Sequence, residues 1–325
     1  MRVVLVSSRS FGNVVTLGND LLRDAGFEVR RVQEEERPLD VAKLVTIVSR
    51  EAPIAIITGA EPMSEPVLSA TSSLRMIMKH GVGVDNIDLG AATSRHIAVA
   101  NAPGTNTAAV ADLVVGLMLS LLRRICEANA STHGGGWKRF VGHELGAMTV
   151  GIVGTGRIGA AVAQRAHAFG ATLLGHDVVQ NERLASEYQL HYVPLDRLLS
   201  EADIVTLHAP LLPDTVKMIG ADALGRMKPT AILINCARGE LVDEQALYEQ
   251  LRAGGIAGAA VDVFATEPPQ ESRLLELENV LATPHIGAYT QEAMVAMDRL
   301  CATTIVDVLV HGKNPDNLLN PGVVR

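Results

Sequence analysis

Cysteine, basic clusters and long apolar runs are scarce in this 325-residue sequence, and each shortage closes off a class of function. Its three cysteines, Cys126, Cys236 and Cys301, lie far apart, with no C-x-x-C pair and no histidine at ligand spacing. They fit small core side chains in a reducing compartment, so neither a disulfide framework nor a zinc site is expected. His143-Glu144 opens an H-E-x-x-H metallopeptidase pattern, but Ala147 fills the fifth position and no second ligand follows. No metal is expected. The 36 acidic residues outnumber 28 basic ones for a net charge of −8, and no five Lys and Arg cluster, so nucleic acid is not an expected partner. The most apolar helical stretch, residues 113–122, is about half the length needed to cross a bilayer. Residues 1–6 read as a first strand rather than a signal peptide, because no apolar h-region or cleavage site follows. A soluble cytoplasmic protein is the expectation.

Hydrophobic residues make up 48% of the chain and charged ones 20%, without any low-complexity tract, as in ordinary globular proteins. The length predicts two domains, each with its own core. Short apolar strands alternate with helical segments throughout, the pattern of an α/β fold with two doubly wound parallel sheets. Strands are predicted at 3–7, 54–58, 76–78 and 97–100, with helices near 13–25 and 40–51. A second set of strands is predicted around Ile152 and Leu173 and at 204–207, 231–235, 258–263 and 280–283. Residues 106–126 read as one helix with a broad apolar stripe, Val110, Leu113, Val114, Leu117, Met118, Leu121, Leu122 and Ile125, suited to a core or a subunit contact. Residues 131–137 read as a glycine-rich loop. A last helix at 291–310 can cross back to the first domain, making that domain discontinuous.

The sharpest local signal is the turn Gly154-Thr155-Gly156-Arg157-Ile158-Gly159, which leaves the apolar strand 149–153 and enters a helix. Gly154 allows the tight turn, Gly156 lets the backbone approach a pyrophosphate, and Gly159 lets helix and strand pack closely. The helix N-terminus offers unpaired N–H groups to phosphate. Asp177, about twenty positions beyond the first glycine, suits a carboxylate that bonds the adenosine ribose and repels a 2′-phosphate. The expected cofactor is NAD.

Three further residues stand at predicted strand ends, where open α/β sheets bind ligands. Arg238 can grip a carboxylate with its planar fork, or can merely cap the next helix. Glu267 and His285 lie on two loops that can meet, and a carboxylate paired with an imidazole fixes its tautomer and stabilises imidazolium. Taken singly, His285 has the alternative of a surface or structural histidine. With a nicotinamide the three supply what alcohol-to-ketone oxidation needs: a hydride acceptor, a proton acceptor and an anchor for a carboxylate.

The motifs run in order along nearly the whole chain: Gly81-Val82-Gly83-Val84-Asp85-Asn86-Ile87-Asp88, Asn101-Ala102-Pro103-Gly104, the glycine turn, Leu207-His208-Ala209-Pro210-Leu211, Asn235-Cys236-Ala237-Arg238-Gly239, Asp262-Val263-Phe264 and Thr283-Pro284-His285-Ile286-Gly287. By these the sequence resembles the D-isomer-specific 2-hydroxyacid dehydrogenases, close to the phosphoglycerate dehydrogenase branch. The resemblance implies a Rossmann dinucleotide-binding domain over 101–286 and a flavodoxin-like substrate domain from 1–100 and 287–325. It implies that Arg238 binds the substrate carboxylate and carbonyl oxygen, that His285 is the acid/base supported by Glu267, and that the N–H groups of Val82 and Gly83 hold the carboxylate's other side. It also implies cofactor contacts from Thr107, Gly154, Gly156, Arg157, Ile158, Gly159, Asp177, His208, Cys236, Asp262 and Gly287. For His208, packing beside the cofactor as a loop residue is the alternative. A homodimer is expected from the family and from the apolar helix.

Many phosphoglycerate-type relatives carry an arginine before the Gly81 loop, where this chain has Lys79-His80. A lysine can still bind phosphate as a point charge, so a 3-phosphoglycerate-type substrate is the first expectation, with Lys79 and His80 as candidate phosphate ligands. Arg75, Lys138 and Arg139 are further candidate cations or simply solvated ones. A hydroxypyruvate or glyoxylate reductase is the alternative within enzymes, and a dinucleotide-sensing corepressor of the same fold the alternative outside them. Formate dehydrogenase is disfavoured, because relatives of that kind pair Gln with His and position 267 is Glu. The chain ends soon after the crossing helix, so serine feedback through a regulatory domain is not expected.

Overall fold

The computed structural model describes residues 2–323. The chain forms two compact units, one from residues up to Asn106 together with those from Ala288 onward, the other from Thr107 to Gly287. The divisions fall at 106/107 and 287/288, a little later than the expected 100/101 and 286/287.

In chain order the first unit contributes β1 (Arg2–Val6), α1 (Leu17–Asp24), β2 (Phe27–Arg31), α2 (Val41–Glu51), β3 (Ala55–Thr58), α3 (Glu65–Leu68), β4 (Met76–Lys79), α4 (Leu89–Ser94) and β5 (Ala98–Ala100). The second contributes α5 (Thr107–Leu122), α6 (Ile125–His133), β6 (Thr149–Val153), α7 (Arg157–Ala168), β7 (Thr172–His176), α8 (Glu182–Tyr188), β8 (His191–Tyr192), α9 (Leu195–Glu201), β9 (Ile204–Leu207), α10 (Ala221–Arg226), β10 (Ile232–Asn235), α11 (Glu244–Ala253), β11 (Gly258–Val261) and β12 (Val280–Ala282). Helix α12 (Gln291–Leu309) returns to the first unit.

The first sheet is parallel with order β2-β1-β3-β4-β5, the flavodoxin-like arrangement, and its order reverses between β1 and β3. The second is parallel with order β12-β11-β10-β9-β6-β7-β8, a Rossmann arrangement that reverses between β6 and β9. Strands β3, β4, β9, β10 and β11 are buried along their whole length. They carry no polar alternation, as helix-covered parallel strands require.

Local chemistry explains the element ends. Asp40 caps α2 by accepting the Lys43 N–H at 2.8 Å, and Asp243 caps α11 through the N–H groups of Gln245 and Ala246. Helix α5 buries Val110, Val114, Leu117 and Met118, each contributing about 1.5–3 kcal/mol of hydrophobic stabilisation. The single helix expected over 106–126 is two helices. Helix α5 stops at Leu122, Arg124 adopts a left-handed φ of 53°, and α6 continues to His133, into the expected 131–137 loop. None of the α6 residues is buried, so no apolar period marks it. Strand β2 also lacks a strand signal. It is an edge strand reading Phe-Glu-Val-Arg-Arg with one buried residue, charged as exposed edges often are.

Candidate active site

In the second unit the loops after β6, β9, β10, β11 and β12 carry the candidate residues at the carboxyl edge of the sheet. The glycine turn sits at the β6/β9 reversal. Gly154 has φ 90°, and a Cβ there would lie 2.6 Å from the His208 carbonyl carbon and the Ala209 nitrogen. A Cβ on Gly159 would lie 2.0 Å from the Gly154 carbonyl oxygen. Both glycines are required by close backbone packing. Gly156 differs, because a Cβ on it meets nothing within 4 Å. Its backbone borders open space at the start of the twelve-residue α7, where the first-turn N–H groups have no partner within the helix. Arg157 is exposed and Ile158 half-buried beside it. This cradle fits a dinucleotide pyrophosphate.

Asp177 follows β7. Its Oδ2 accepts the Thr155 N–H at 2.6 Å and the Thr155 hydroxyl at 3.1 Å, and its Oδ1 accepts the Val179 N–H at 3.2 Å. Partial burial pushes the carboxyl up, but the Thr155 and Val179 donors outweigh it and hold it below its ordinary range. The ionised acid is therefore the resting form at neutral pH.

The reactive end is built from three loops. Asn235, 1% exposed at the end of β10, folds the first of them, because its amide donates to the Arg238 carbonyl at 2.8 Å and its Oδ1 accepts the Ala237 N–H at 3.1 Å. A Cβ on Gly239 would lie 2.0 Å from the carbonyl carbon of Phe264. The Arg238 loop thus rests directly on the backbone that leads to Glu267. Glu267 accepts the Phe264 N–H through Oε1 at 3.1 Å and meets His285 Nδ1 through Oε2 at 2.8 Å. Partial burial alone lifts the Glu267 carboxyl. The His285 bond and charge, the Phe264 N–H and the nearby Arg238 charge outweigh it, and the net shift is downward. Glu267 and His285 therefore meet, with Arg238 within electrostatic reach.

His285 is the one non-glycine residue of its turn with a left-handed backbone, φ 54°. The turn is held by Asp262, which is 1% exposed. The Asp262 carbonyl accepts the His285 N–H at 2.8 Å. Its Oδ1 accepts the Thr283 hydroxyl at 2.6 Å and the Ile286 N–H at 2.8 Å, and its Oδ2 accepts the Gly287 N–H at 2.8 Å. Asp262, expected as a cofactor contact, has both carboxylate oxygens engaged by the turn that carries His285. Gly287 is buried against it, with a Cβ position only 3.1 Å from Asp262 Oδ2.

His208 follows β9, and its Nε2 lies 2.9 Å from the Thr206 hydroxyl. Burial pushes its pKa down to about 3, which favours the neutral imidazole. Burial likewise pushes the Cys236 thiol up, leaving it protonated. Thr107 opens α5.

Val82 and Gly83 belong to the first unit, on the loop after β4. The Val82 carbonyl accepts the Asn101 amide at 2.7 Å, and the carbonyl of Gly81, whose φ is 153°, accepts the Ala102 N–H at 2.8 Å. The candidate phosphate ligands beside them are turned inward. Lys79 Nζ donates to the Gly59 carbonyl at 2.5 Å and to Asn86 Oδ1 at 2.6 Å. The His80 side chain is fully buried, with Nδ1 at 2.8 Å from Ser10 Oγ and Nε2 at 2.8 Å from Asp298 Oδ1. His80 is a core histidine rather than a surface ligand, since a buried polar side chain must be satisfied where it lies.

Thr155, Tyr192 and Asn235 were not singled out by the sequence. Asn235 carried a usable signal, an Asx residue at a strand end before a turn.

The sequence pattern of the D-isomer specific 2-hydroxyacid dehydrogenase NAD-binding domain matches residues 115–287. A glyoxylate reductase of Korarchaeum cryptofilum is 40% identical over 306 residues, covering 92% of this chain and 91% of the relative. A D-3-phosphoglycerate dehydrogenase of Methanocaldococcus jannaschii is 43% identical over 274 residues, covering 83% of this chain, which spans 52% of that relative. The crystal structure of D-lactate dehydrogenase from Aquifex aeolicus, complexed with NAD and lactic acid, superposes with a TM-score of 0.84 at 27% identity, covering 98% of this chain and 99% of that one.

Proposed function

The chain belongs to the D-isomer specific 2-hydroxyacid dehydrogenase family, whose members are NAD-dependent oxidoreductases, and on that premise we propose that Arg238, Glu267 and His285 carry out its hydride-transfer reaction. The observation that carries the proposal is the 2.8 Å contact between Glu267 Oε2 and His285 Nδ1. It fixes the tautomer that leaves Nε2 to exchange a proton with substrate. In oxidation His285 Nε2 takes the proton of the substrate hydroxyl, which would free the hydrogen on C2 to leave as hydride. NAD, when bound, supplies the hydride acceptor. Arg238 holds the substrate carboxylate and the oxygen on C2. Reduction reverses each step. The Gly154–Gly159 turn and Arg157 seat the pyrophosphate, Asp177 takes the ribose hydroxyls, and Thr107, Ile158, His208, Cys236 and Gly287 line the remaining cofactor path. Asp262 supports that path by holding the catalytic turn.

For the substrate we favour a short unphosphorylated 2-keto acid such as glyoxylate or hydroxypyruvate over a phosphoglycerate-type acid. Lys79 and His80 are the candidate phosphate ligands nearest in sequence to the Val82–Gly83 loop, and both have protein partners. The Methanocaldococcus jannaschii relative supports the phosphorylated alternative. Assay of glyoxylate, hydroxypyruvate and phosphohydroxypyruvate with NADH decides between them. A kcat/KM highest for phosphohydroxypyruvate would reject the reading, and no NADH consumption with any 2-keto acid would favour a dinucleotide-sensing role.

We further propose a homodimer joined through α5, α6 and the arm that follows, where Trp137 is 80% and Val141 94% exposed. Light scattering during size-exclusion chromatography tests it. Among the described residues no helix is long and apolar enough to cross a membrane, and the three free thiols suit a reducing cytoplasm.

A further inference from the structure

Tyr192 lies on the two-residue edge strand β8, paired in register with Gly175 of β7. Gly175 makes the pairing possible, because Leu190 packs where a Cβ would stand, at 2.4 Å. The Tyr192 hydroxyl accepts the Asn181 N–H at 2.8 Å and donates to Thr155 Oγ1 at 2.9 Å. Thr155 Oγ1 donates in turn to Asp177 Oδ2 at 3.1 Å, beside the Thr155 N–H at 2.6 Å. Each hydroxyl has a single hydrogen to give. Because the ionised Asp177 carboxylate can only accept, Thr155 must turn its own hydrogen toward it, and the phenolic hydrogen of Tyr192 is then the one directed at Thr155. The result is a one-way chain ending on a charged oxygen, an arrangement in which each bond polarises the next. Thr155 is 3% exposed, so water competes little for its hydroxyl.

We propose that Tyr192 and Thr155 are positioning residues that set selectivity for NAD(H) over NADP(H). They lock Asp177 by engaging Oδ2 and leave Oδ1, which accepts the Val179 N–H at the longer distance of 3.2 Å, for the ribose hydroxyls. A carboxylate held in place repels a 2′-phosphate, whereas one free to swing can move aside and admit it. The inference rests on the reading of Asp177 as the ribose acid, and it adds that discrimination depends on the non-glycine Thr155 of the turn and on Tyr192, which lies outside it.

The test measures kcat and KM with NADH and with NADPH for the wild type and for Asp177→Ala, Tyr192→Phe, Thr155→Val and Thr155→Ser. Tyr192→Phe and Thr155→Val should each lower the NADH-to-NADPH ratio of kcat/KM by about fivefold, the order of one hydrogen bond in an equilibrium constant. The change should come through KM. Thr155→Ser keeps the hydroxyl and should keep the wild-type ratio, and Tyr192→Phe added to Asp177→Ala should change the ratio no further. If Asp177→Ala shifts the ratio while Tyr192→Phe leaves it unchanged, the inference is overturned and the ribose reading stands. An unchanged ratio in Asp177→Ala overturns both. A lower melting temperature for Tyr192→Phe with an unmoved ratio would mean that the phenol only stabilises the fold, which also overturns the proposal.

Discussion

Asp262 holds the backbone on both sides of His285. Its carbonyl accepts the His285 N–H at 2.8 Å, and its carboxylate accepts the N–H groups of Ile286 and Gly287, each at 2.8 Å. A histidine with a left-handed φ of 54° is locally unfavourable by about 1–3 kcal/mol, and this buried carboxylate is what makes the conformation stable. The proposed acid/base is thus aimed by a residue with which its own side chain makes no hydrogen bond.

Replacing Asp262 by Ala should therefore leave two N–H groups and the Thr283 hydroxyl short of partners. The buried Gly287 N–H alone costs about 1–3 kcal/mol when left unsatisfied, so urea unfolding should show a loss of about 1–3 kcal/mol. A loss below about 1 kcal/mol would mean that the turn holds itself.

His285→Ala should lower kcat by about 10²–10⁴-fold, the usual contribution of a positioned proton carrier. NADH affinity, followed by fluorescence titration, should change little if the imidazole acts on substrate as proposed. Equal losses in turnover and cofactor binding would assign His285 to the cofactor instead.

Gly159→Ala places a methyl carbon 2.0 Å from the Gly154 carbonyl oxygen, a backbone atom that can yield only if the turn opens. Overpacking of this kind costs about 1–3 kcal/mol or more. NADH binding should weaken by at least tenfold even where the protein still folds. Gly156→Ala meets nothing within 4 Å in the protein, so it should spare the melting temperature of the free protein. If its methyl enters the cradle, NADH binding is weakened all the same.

Glu267 has a folded-state pKa below its ordinary value, so its ionised form contributes stability that is present above the unfolded pKa. That contribution fades as pH falls through the lower folded pKa. Glu267→Gln should consequently be less stable than the wild type at neutral pH, and the gap should close on acidification below the carboxylate range. Thermal melts across that range check the sign; a gap that widens toward acid would contradict it.

Much of this molecule was legible in the sequence for a local reason. The glycine turn, its preceding strand and its following helix occupy consecutive residues, and each glycine's task is set by its own backbone. Arg238, Glu267 and His285 could be nominated because parallel sheets gather their strand ends on one edge, whatever the exact register. Helix α6 and strand β2 were missed because elements lying on the surface bury too little to leave a hydrophobic period.

Tertiary structure alone decided the rest, and it did so where a side chain had several partners to choose among. His80 meets Ser10 and Asp298, distant in sequence, and this choice removed it from the phosphate ligands. Asp262 gave its oxygens to residues 283–287 because the register of β11 with β12 brought that turn beside it. Tyr192 reached Thr155 through a two-residue strand too short to leave a pattern. Sequence fixes which groups stand near the carboxyl edge, since backbone periodicity is local. Which of them are spent inside the protein and which remain for a ligand is settled by long-range packing, because every buried polar group must find its partner there.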